Sequence, residues 1–185
     1  MTKADENFSP KKWGTGSQPV KRLIALAGCA PRPAASADVK PLQELIAACY
    51  AEYDCVLDPD NLDADLFRPG EDMRRAGGDF FVLQNHESEI LACIGFTIHG
   101  DIGELKRLYV APSARKRGLG AAFTEFIHEK ICECGCNRAV LWSDTRFLNA
   151  HRLYEKYGYR RTGNERDLHD INCTREFEFA RELTG

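Results

Sequence analysis

The middle of this chain reads as a strand, a basic turn with two glycines and an amphipathic helix, in that order. Residues 104–110 form the strand-like run, residues 115–120 read RKRGLG, and the helical run begins near Leu119. Glycines allow backbone N–H groups to point inward at an anion, and a helix N-terminus adds a positive dipole. The unit therefore predicts a phosphate-binding turn. For the hexapeptide alone, a solvated basic turn is an equally good interpretation.

The size and charge of the chain exclude several classes of protein. Its 185 residues are 43% hydrophobic and 29% charged, which suits one domain with a real core. A net charge of −3 argues against a general nucleic-acid binder. No apolar run approaches the ~18 residues of a membrane span. Residues 26–29 read LAGC, as in a lipoprotein cleavage box, but the apolar stretch before them is too short for a signal core. We therefore expect a cytoplasmic protein without nucleic-acid or membrane partners.

Eight cysteines raise the question of a metal site. Cys132, Cys134 and Cys136 form a C-x-C-x-C cluster where a helix is predicted to end, whereas zinc ligands usually come in two knuckles or with histidines. We expect no metal and reduced thiols. A metal-binding protein built on this cluster is the alternative, and it predicts bound zinc.

The pattern of apolar residues divides the chain into a tail and one domain. Residues 1–29 are predicted to be a flexible tail, since polar residues, prolines and glycines dominate their first part, and residues 30–185 a folded domain. Within the domain, helical periodicity alternates with an antiparallel meander over residues 80–110. Asn149 is predicted to cap a short helix, and two closing strands follow. This order predicts a mixed sheet with helices packed on it.

Two motifs give the chain a resemblance to the GNAT superfamily of acetyl-CoA-dependent N-acetyltransferases. The family signature Arg/Gln-x-x-Gly-x-Gly/Ala is matched by Arg115, Gly118 and Gly120, and residues 153–159 resemble its later Leu-Tyr-Glu-Lys-x-Gly-Phe helix. The resemblance covers about residue 30 to the C-terminus. It implies an α/β fold with a mostly antiparallel sheet of about six or seven strands, flanked by about four helices. It also implies a splay between the strands near residues 104–110 and 139–143.

The resemblance implies acetyl-CoA as the donor substrate. Its pantetheine arm would lie along the backbone edge of residues 108–110, and its pyrophosphate on the amides of residues 115–120. In the family, an asparagine seven residues before the tyrosine contacts the coenzyme. This chain has Phe147 at that position and Asn149 two residues later. Asn149 therefore either contacts the coenzyme or serves only as a helix cap. The implied coenzyme-binding residues are Leu108, Tyr109, Val110, Arg115, Lys116, Arg117, Gly118, Leu119, Gly120, Ala121, Asn149 and Tyr154.

The resemblance also implies the catalytic groups. The backbone amide of Leu108 would face the thioester oxygen, as donors do in acyl transfer. Tyr154 would be the general acid for the leaving thiolate, because a phenol is protonated at neutral pH; the alternative is a ring that only packs. Glu104 would be the general base, and the alternative is a solvent-exposed residue at a strand end. No metal is needed.

The acceptor is predicted to be a primary amine. The acidic run over residues 57–72, with Asp63 and Asp65, favours a cationic one by its local field, unless it is only a solvated loop. A non-catalytic acetyl-CoA sensor or a protein-interaction module is the alternative function. An exposed closing strand could pair between subunits and form a homodimer.

Overall fold

A computed structural model of the chain describes residues 13–14 and 16–183. The described α-helices are α1 Gln18–Ala27, α2 Val39–Ala51, α3 Glu71–Arg75, α4 Leu119–Glu133 and α5 Leu148–Lys156. The strands are β1 Arg32–Pro33, β2 Asp79–Gln84, β3 Ile90–His99, β4 Ile102–Val110, β5 Arg138–Asp144, β6 Arg160–Asp167 and β7 Arg175–Glu182. Short 3₁₀ turns occupy Ser36–Asp38, Ala64–Phe67 and Pro112–Ala114.

The seven strands form one sheet in the order β1-β2-β3-β4-β5-β7-β6. Only β4 and β5 pair in parallel, and every other neighbouring pair is antiparallel. The predicted mixed, mostly antiparallel α/β architecture is therefore confirmed. Within the described residues there are five α-helices where about four were expected. None of these helices is long and apolar enough to cross a membrane.

The parallel strands β4 and β5 separate along their length. Their register runs from Ile102 opposite Arg138 to Leu105 opposite Leu141 and then stops, although both strands continue. The C-terminal halves of the two strands thus diverge, which confirms the predicted splay. Backbone groups on that side of β4 are left without a strand partner from residue 106 onward.

Helices cover both faces of the sheet. One core joins α1, α4 and α5 to the sheet, and the second joins α2 and α3 to β2 and β3. Leu105 and Leu141 point into the first core. Since side chains alternate along a strand, their neighbours Glu104 and Val140 lie on the face that α2 and α3 partly cover.

The prediction of a flexible tail over residues 1–29 is wrong for residues 18–27. They form α1, which begins at Ser17, whose hydroxyl accepts from the Val20 amide, and ends at Gly28 with φ of 87°. Val20 and Leu23 are fully buried in the first core. Only three residues of this ten-residue helix are buried, and residues 23–27 form a continuous apolar run, so the helical spacing of the buried residues was not evident. The rest of the predicted tail lies mostly outside the described residues.

Candidate active site

A β-bulge interrupts β4 where the splay opens. Cys93 pairs with Tyr109 and Gly95 with Lys106, so the single residue Ile94 faces both Arg107 and Leu108. Arg107 has φ of 55°, in the left-handed region that few non-glycine residues adopt. A bulge of this kind bends the strand and re-aims its backbone groups. It takes Arg107 and Leu108 out of the regular ladder between β4 and β3.

The glycine turn presents free amides at the start of α4. Gly118 is the N-cap residue, with φ of 89° and no side-chain cap, and the first amide bonded within the helix is that of Ala122. The amides of Leu119, Gly120 and Ala121 are therefore left without helical acceptors. A Cβ on Gly120 would lie 3.4 Å from the Leu153 side chain, an ordinary contact, so the protein's own packing leaves room there. Free amides, a helix dipole and an open glycine suit a close-fitting phosphate.

The side chain of Arg115 does not point into this turn. Its Nε donates to the carbonyl of Val110 at 3.0 Å, and its Nη1 pairs with Glu52 at the end of α2. Its Nη2 contacts the Cys49 sulfur at 3.4 Å. Arg115 thus ties the turn to β4 and α2, and its charge is offset by a carboxylate.

The other two cations of the turn differ from Arg115. Arg117 donates to the carbonyl of Leu26 at 2.9 Å, at the C-terminal end of α1. Lys116 is exposed and has φ of 59°. Neither side chain is paired with a carboxylate in the described part of the chain. Their positive charges remain available at the turn.

Tyr154 lies inward on α5, and its side chain is only 5% exposed. Its ring packs on Tyr159 and Phe179, with centroids 5.9 and 6.0 Å away. Burial raises the pKa of Tyr154 above its usual value, so the phenol stays protonated at neutral pH. Within the described residues its hydroxyl is neither hydrogen-bonded nor fully enclosed. The group is a proton donor with an unused hydrogen bond.

Asn149 is not the predicted helix cap. Helix α5 begins at Leu148 with Phe147 in the N-cap position, so Asn149 lies inside the first turn. Its side chain is exposed and accepts a long hydrogen bond from Arg152 at 3.4 Å. Phe147 has no side-chain oxygen to cap the helix, and the backbone bond from His151 to the Phe147 carbonyl sets the first turn instead.

Glu104 lies just before the point where the splay opens, opposite Val140. Its carboxylate accepts from Lys106 Nζ at 2.7 Å and lies 3.5 Å from His99 Nε2. Its side chain is 15% exposed. The carboxylate is therefore largely shielded from solvent and lies between two groups that can carry positive charge.

A cavity of about 210 Å³ adjoins Glu104 on the face covered by α2 and α3. Its wall includes Lys106 and Thr97, which is the cross-strand partner of Glu104. A larger hollow of about 400 Å³ lies at the far edge of the sheet, beside Gly158 and Arg160, and borders none of the predicted catalytic groups. The smaller cavity is the better candidate for an acceptor.

Arg107, which the sequence did not single out, neutralises much of the acidic run. Its Nη1 lies 2.6 Å from Asp63, and its Nη2 lies 2.7 Å from Asp65 and donates to the Leu62 carbonyl. Asp63 and Asp65 therefore face a buried guanidinium. In the sequence, Arg107 is visible only as a charged residue within a predicted strand. Its role could not be predicted, because its partners lie more than forty residues away along the chain.

A second link joins the segment after α2 to the β6–β7 loop. The Asn172 amide accepts from the Val56 N–H at 2.9 Å and donates to the Val56 carbonyl at 2.8 Å. Arg146, just after β5, donates to the Asn172 carbonyl at 3.3 Å. The link thus connects elements on the two sides of the splay.

The described residues contain no group of three or more histidine, cysteine or acidic side chains arranged to hold a metal ion. Of the cysteines in the C-x-C-x-C cluster, Cys132 is exposed and Cys136 is buried.

Comparison with known proteins links part of this chain to one family. A family model for the acetyltransferase (GNAT) domain matches residues 76–161, which run from the end of α3 into β6. This segment, which holds the glycine turn and α5, is similar to GNAT acetyltransferase domains. An uncharacterized N-acetyltransferase of Schizosaccharomyces pombe is 29% identical to it over 130 residues, which is 68% of this chain and 78% of the relative.

Solved structures show the same GNAT fold. A GNAT acetyltransferase of Staphylococcus aureus superposes with a TM-score of 0.71 at 18% identity, over 83% of this chain and 98% of that one. YncA of Salmonella typhimurium, solved with its cofactor acetyl-CoA, gives 0.62 at 18% identity, over 84% and 94%. The Escherichia coli ribosomal-protein-S18-alanine N-acetyltransferase gives 0.64 at 16% identity, over the same shares. The resemblance inferred from the GNAT motifs is confirmed.

Proposed function

We propose that this protein transfers an acetyl group from acetyl-CoA to a primary amine of a small molecule or peptide, by direct attack in a ternary complex. The observation that carries the proposal is that the start of α4 lies against both β4 and α5, because a Cβ on Gly120 would be 3.7 Å from Val110 and 3.4 Å from Leu153. These elements carry three features: the free amides at the start of α4, the edge of β4 that has no strand partner beyond residue 105, and the unbonded hydroxyl of Tyr154. Each matches a need of acyl transfer.

The donor would be held by the protein backbone. When bound, acetyl-CoA supplies the thioester carbonyl that the amine attacks. The amides of residues 118–121 would bind its pyrophosphate, and the edge of residues 108–110 would bind its pantetheine arm in the manner of an added strand. The Leu108 amide would donate to the thioester oxygen as negative charge develops there.

Two side chains would move the protons. Tyr154 would donate its phenolic proton to the leaving sulfur, and the raised pKa keeps that proton in place until it is needed. Glu104 would accept a proton from the attacking ammonium, directly or through a water. The Glu104 carboxylate is already bonded to Lys106. To act as a base, it would have to give up that hydrogen bond and accept one from the amine of the acceptor.

The nature of the acceptor stays a prediction. Asp63 and Asp65 pair with one guanidinium, that of Arg107. The wall of the candidate acceptor cavity carries Arg68 and Lys106 as well as Asp65 and Asp72. A cationic amine thus stays a prediction that the charges of the cavity favour far less than the acidic run alone suggested. The cytoplasmic location and a homodimer also stay predictions. Strand β6 is the exposed edge at which subunits would pair.

A thiol-release assay with acetyl-CoA and a panel of amines tests the proposal. We expect Tyr154→Phe to lower kcat by one to two orders of magnitude without weakening coenzyme binding, as for a proton donor. Tyr53→Phe is the matched control, because Tyr53 is half-buried and its hydroxyl makes no hydrogen bond in the described residues. Tight coenzyme binding without thiol release for any amine would instead support the non-catalytic sensor.

A further inference from the structure

Helix α1 lies directly beside the phosphate turn, although it precedes the segment that the GNAT family model matches. It packs along α4 through the first core. Its C-terminal carbonyl at Leu26 accepts from Arg117, and the Leu26 side chain would lie 3.9 Å from a Cβ placed on Gly118. An element from the N-terminal part of the chain therefore forms one wall of the turn.

One side chain of α1, Arg22, reaches over the start of α4. Its Nη1 donates to both oxygens of Glu125, at 2.8 and 2.9 Å. Its Nη2 is the atom nearest to the Cβ position of Gly118, at 3.6 Å. Because both bonds to Glu125 use Nη1, Nη2 stays directed at the turn.

The position of Arg22 is held from a second side. The hydroxyl of Tyr157, just after α5, donates to the same Glu125 carboxylate at 2.7 Å. A guanidinium carries five N–H donors in a rigid fork, so it can bond a carboxylate with one nitrogen and a phosphate with another. Its side chain is 45% exposed, which leaves it accessible to a ligand.

The signature arginine of the turn is already paired, so a further cation such as Arg22 can contribute to phosphate binding. The guanidinium of Arg115, the signature arginine, is paired with Glu52 and bonded to the Val110 carbonyl. The turn therefore presents the positive charges of Lys116 and Arg117, and Arg22 adds N–H donors from a separate helix.

We propose that Arg22 binds a phosphate group of the coenzyme through Nη2, so that α1 completes the donor site. The inference rests on the proposed function, since it assumes that the turn holds a coenzyme A phosphate. Two phosphates are within its chemistry: the pyrophosphate on the α4 amides, and the 3′-phosphate of the adenosine. Guanidinium and phosphate form short, charge-assisted hydrogen bonds in either case.

The test is calorimetric titration of the full-length chain with coenzyme A and with dephospho-coenzyme A, at low salt. The variants are Arg22→Ala and Arg22→Lys. The control is Lys21→Ala, which removes the neighbouring cation of α1; Lys21 is exposed and forms no ion pair within the described residues. We expect Arg22→Ala to raise the Kd for coenzyme A about tenfold, the effect of one charged hydrogen bond. We expect Arg22→Lys to restore part of the affinity. Lys21→Ala should change the Kd less than twofold.

The two ligands distinguish the phosphates. If Arg22→Ala loses affinity for coenzyme A but not for dephospho-coenzyme A, Arg22 binds the 3′-phosphate. If it loses affinity equally for both ligands, Arg22 binds the pyrophosphate. Equal Kd values for Arg22→Ala and Lys21→Ala, with both variants folded by circular dichroism, would overturn the inference. Absence of coenzyme binding by the unmodified protein would instead overturn the proposed function.

Discussion

Nη1 of Arg107 lies 2.6 Å from Oδ1 of Asp63, and the two side chains are 14% and 3% exposed. This pair joins the bulge of β4 to the segment between α2 and α3. The residue that adopts the left-handed bulge conformation also anchors a wall of the candidate acceptor cavity, through its second carboxylate partner, Asp65. A change at Arg107 should affect the packing of both.

Removing Arg107 should destabilise the fold. Arg107→Ala leaves the Asp63 carboxylate buried without its cation, and the loss of one partner of a buried pair costs about 3–5 kcal/mol. We expect urea denaturation to show a fall of about that size in the free energy of unfolding. Arg75→Ala is the control, because Arg75 pairs with Asp72 at the surface and should cost under about 1 kcal/mol. An equal fall in the free energy of unfolding for Arg107→Ala and Arg75→Ala would contradict a stabilising role for the buried pair of Arg107 and Asp63.

The two glycines of the turn should separate stability from coenzyme binding. Gly118→Ala puts a Cβ at a φ of 89° and should cost about 1–2 kcal/mol of stability. Gly120→Ala meets only ordinary contacts, so it should leave the melting temperature within a few degrees and weaken coenzyme A binding by tenfold or more. Thermal melts and titration with coenzyme A measure the two effects. Unchanged coenzyme affinity in Gly120→Ala would argue against phosphate binding at this turn.

The Asn172 link should control local opening of the segment after α2. Asn172→Ala removes both hydrogen bonds to Val56, so the Val56 amide should exchange with deuterium faster. Coenzyme affinity should not change, since neither residue lies at the turn. Asn164→Ala, a change at an exposed asparagine of β6, is the control and should leave exchange at Val56 as it is. Slow exchange at Val56 in Asn172→Ala would show that other contacts hold the segment.

A buried histidine should make the protein less stable in mild acid. Arg181 can only donate, so His128 accepts at Nδ1 and donates from Nε2 to the Tyr159 hydroxyl. Burial, helped by the charge of Arg181, lowers the pKa of His128 to about 4. The unfolded chain binds this proton at a higher pH than the folded one, so the contribution of His128 is complete above about pH 6.5. It is lost as the pH falls toward about 4.

One variant, His128→Gln, can isolate the contribution of His128 to the loss of stability in acid. The difference between a pKa of about 4 in the folded protein and the ordinary histidine value in the unfolded chain corresponds to roughly 3 kcal/mol of stability between pH 7 and pH 4. His128→Gln removes the titrating group and keeps a side-chain amide that can donate to Tyr159. Urea denaturation between pH 7 and pH 4 should therefore show a smaller loss of stability in His128→Gln than in the unmodified protein. Parallel pH curves for the two proteins would exclude His128 as the source.

The sequence by itself determined the local features of the site. The turn of residues 115–120, the strand before it and the helix after it are set by backbone preferences and apolar periodicity within a few residues. Those signals predicted the mixed sheet and the helix that carries Tyr154. The resemblance carried by the family motifs implied the splay and an acetyl-CoA donor. The predicted helix cap at Asn149 is wrong by two residues. Asparagine favours the N-cap position, but the helix begins earlier because the His151 amide donates to the Phe147 carbonyl.

Only the tertiary structure decided which distant side chains meet. Arg107 meets Asp63 across 44 positions, Arg115 meets Glu52 across 63, and Asn172 meets Val56 across 116. Helix α1 is placed beside the turn by three buried residues, Val20, Leu23 and Ala27, whose helical spacing spans only about two turns. A charged side chain carries no local sign of its partner, since the pairing depends on which elements the sheet order brings together. The sequence therefore determined the candidate phosphate-binding turn, and the fold decided how the charges of that turn are paired.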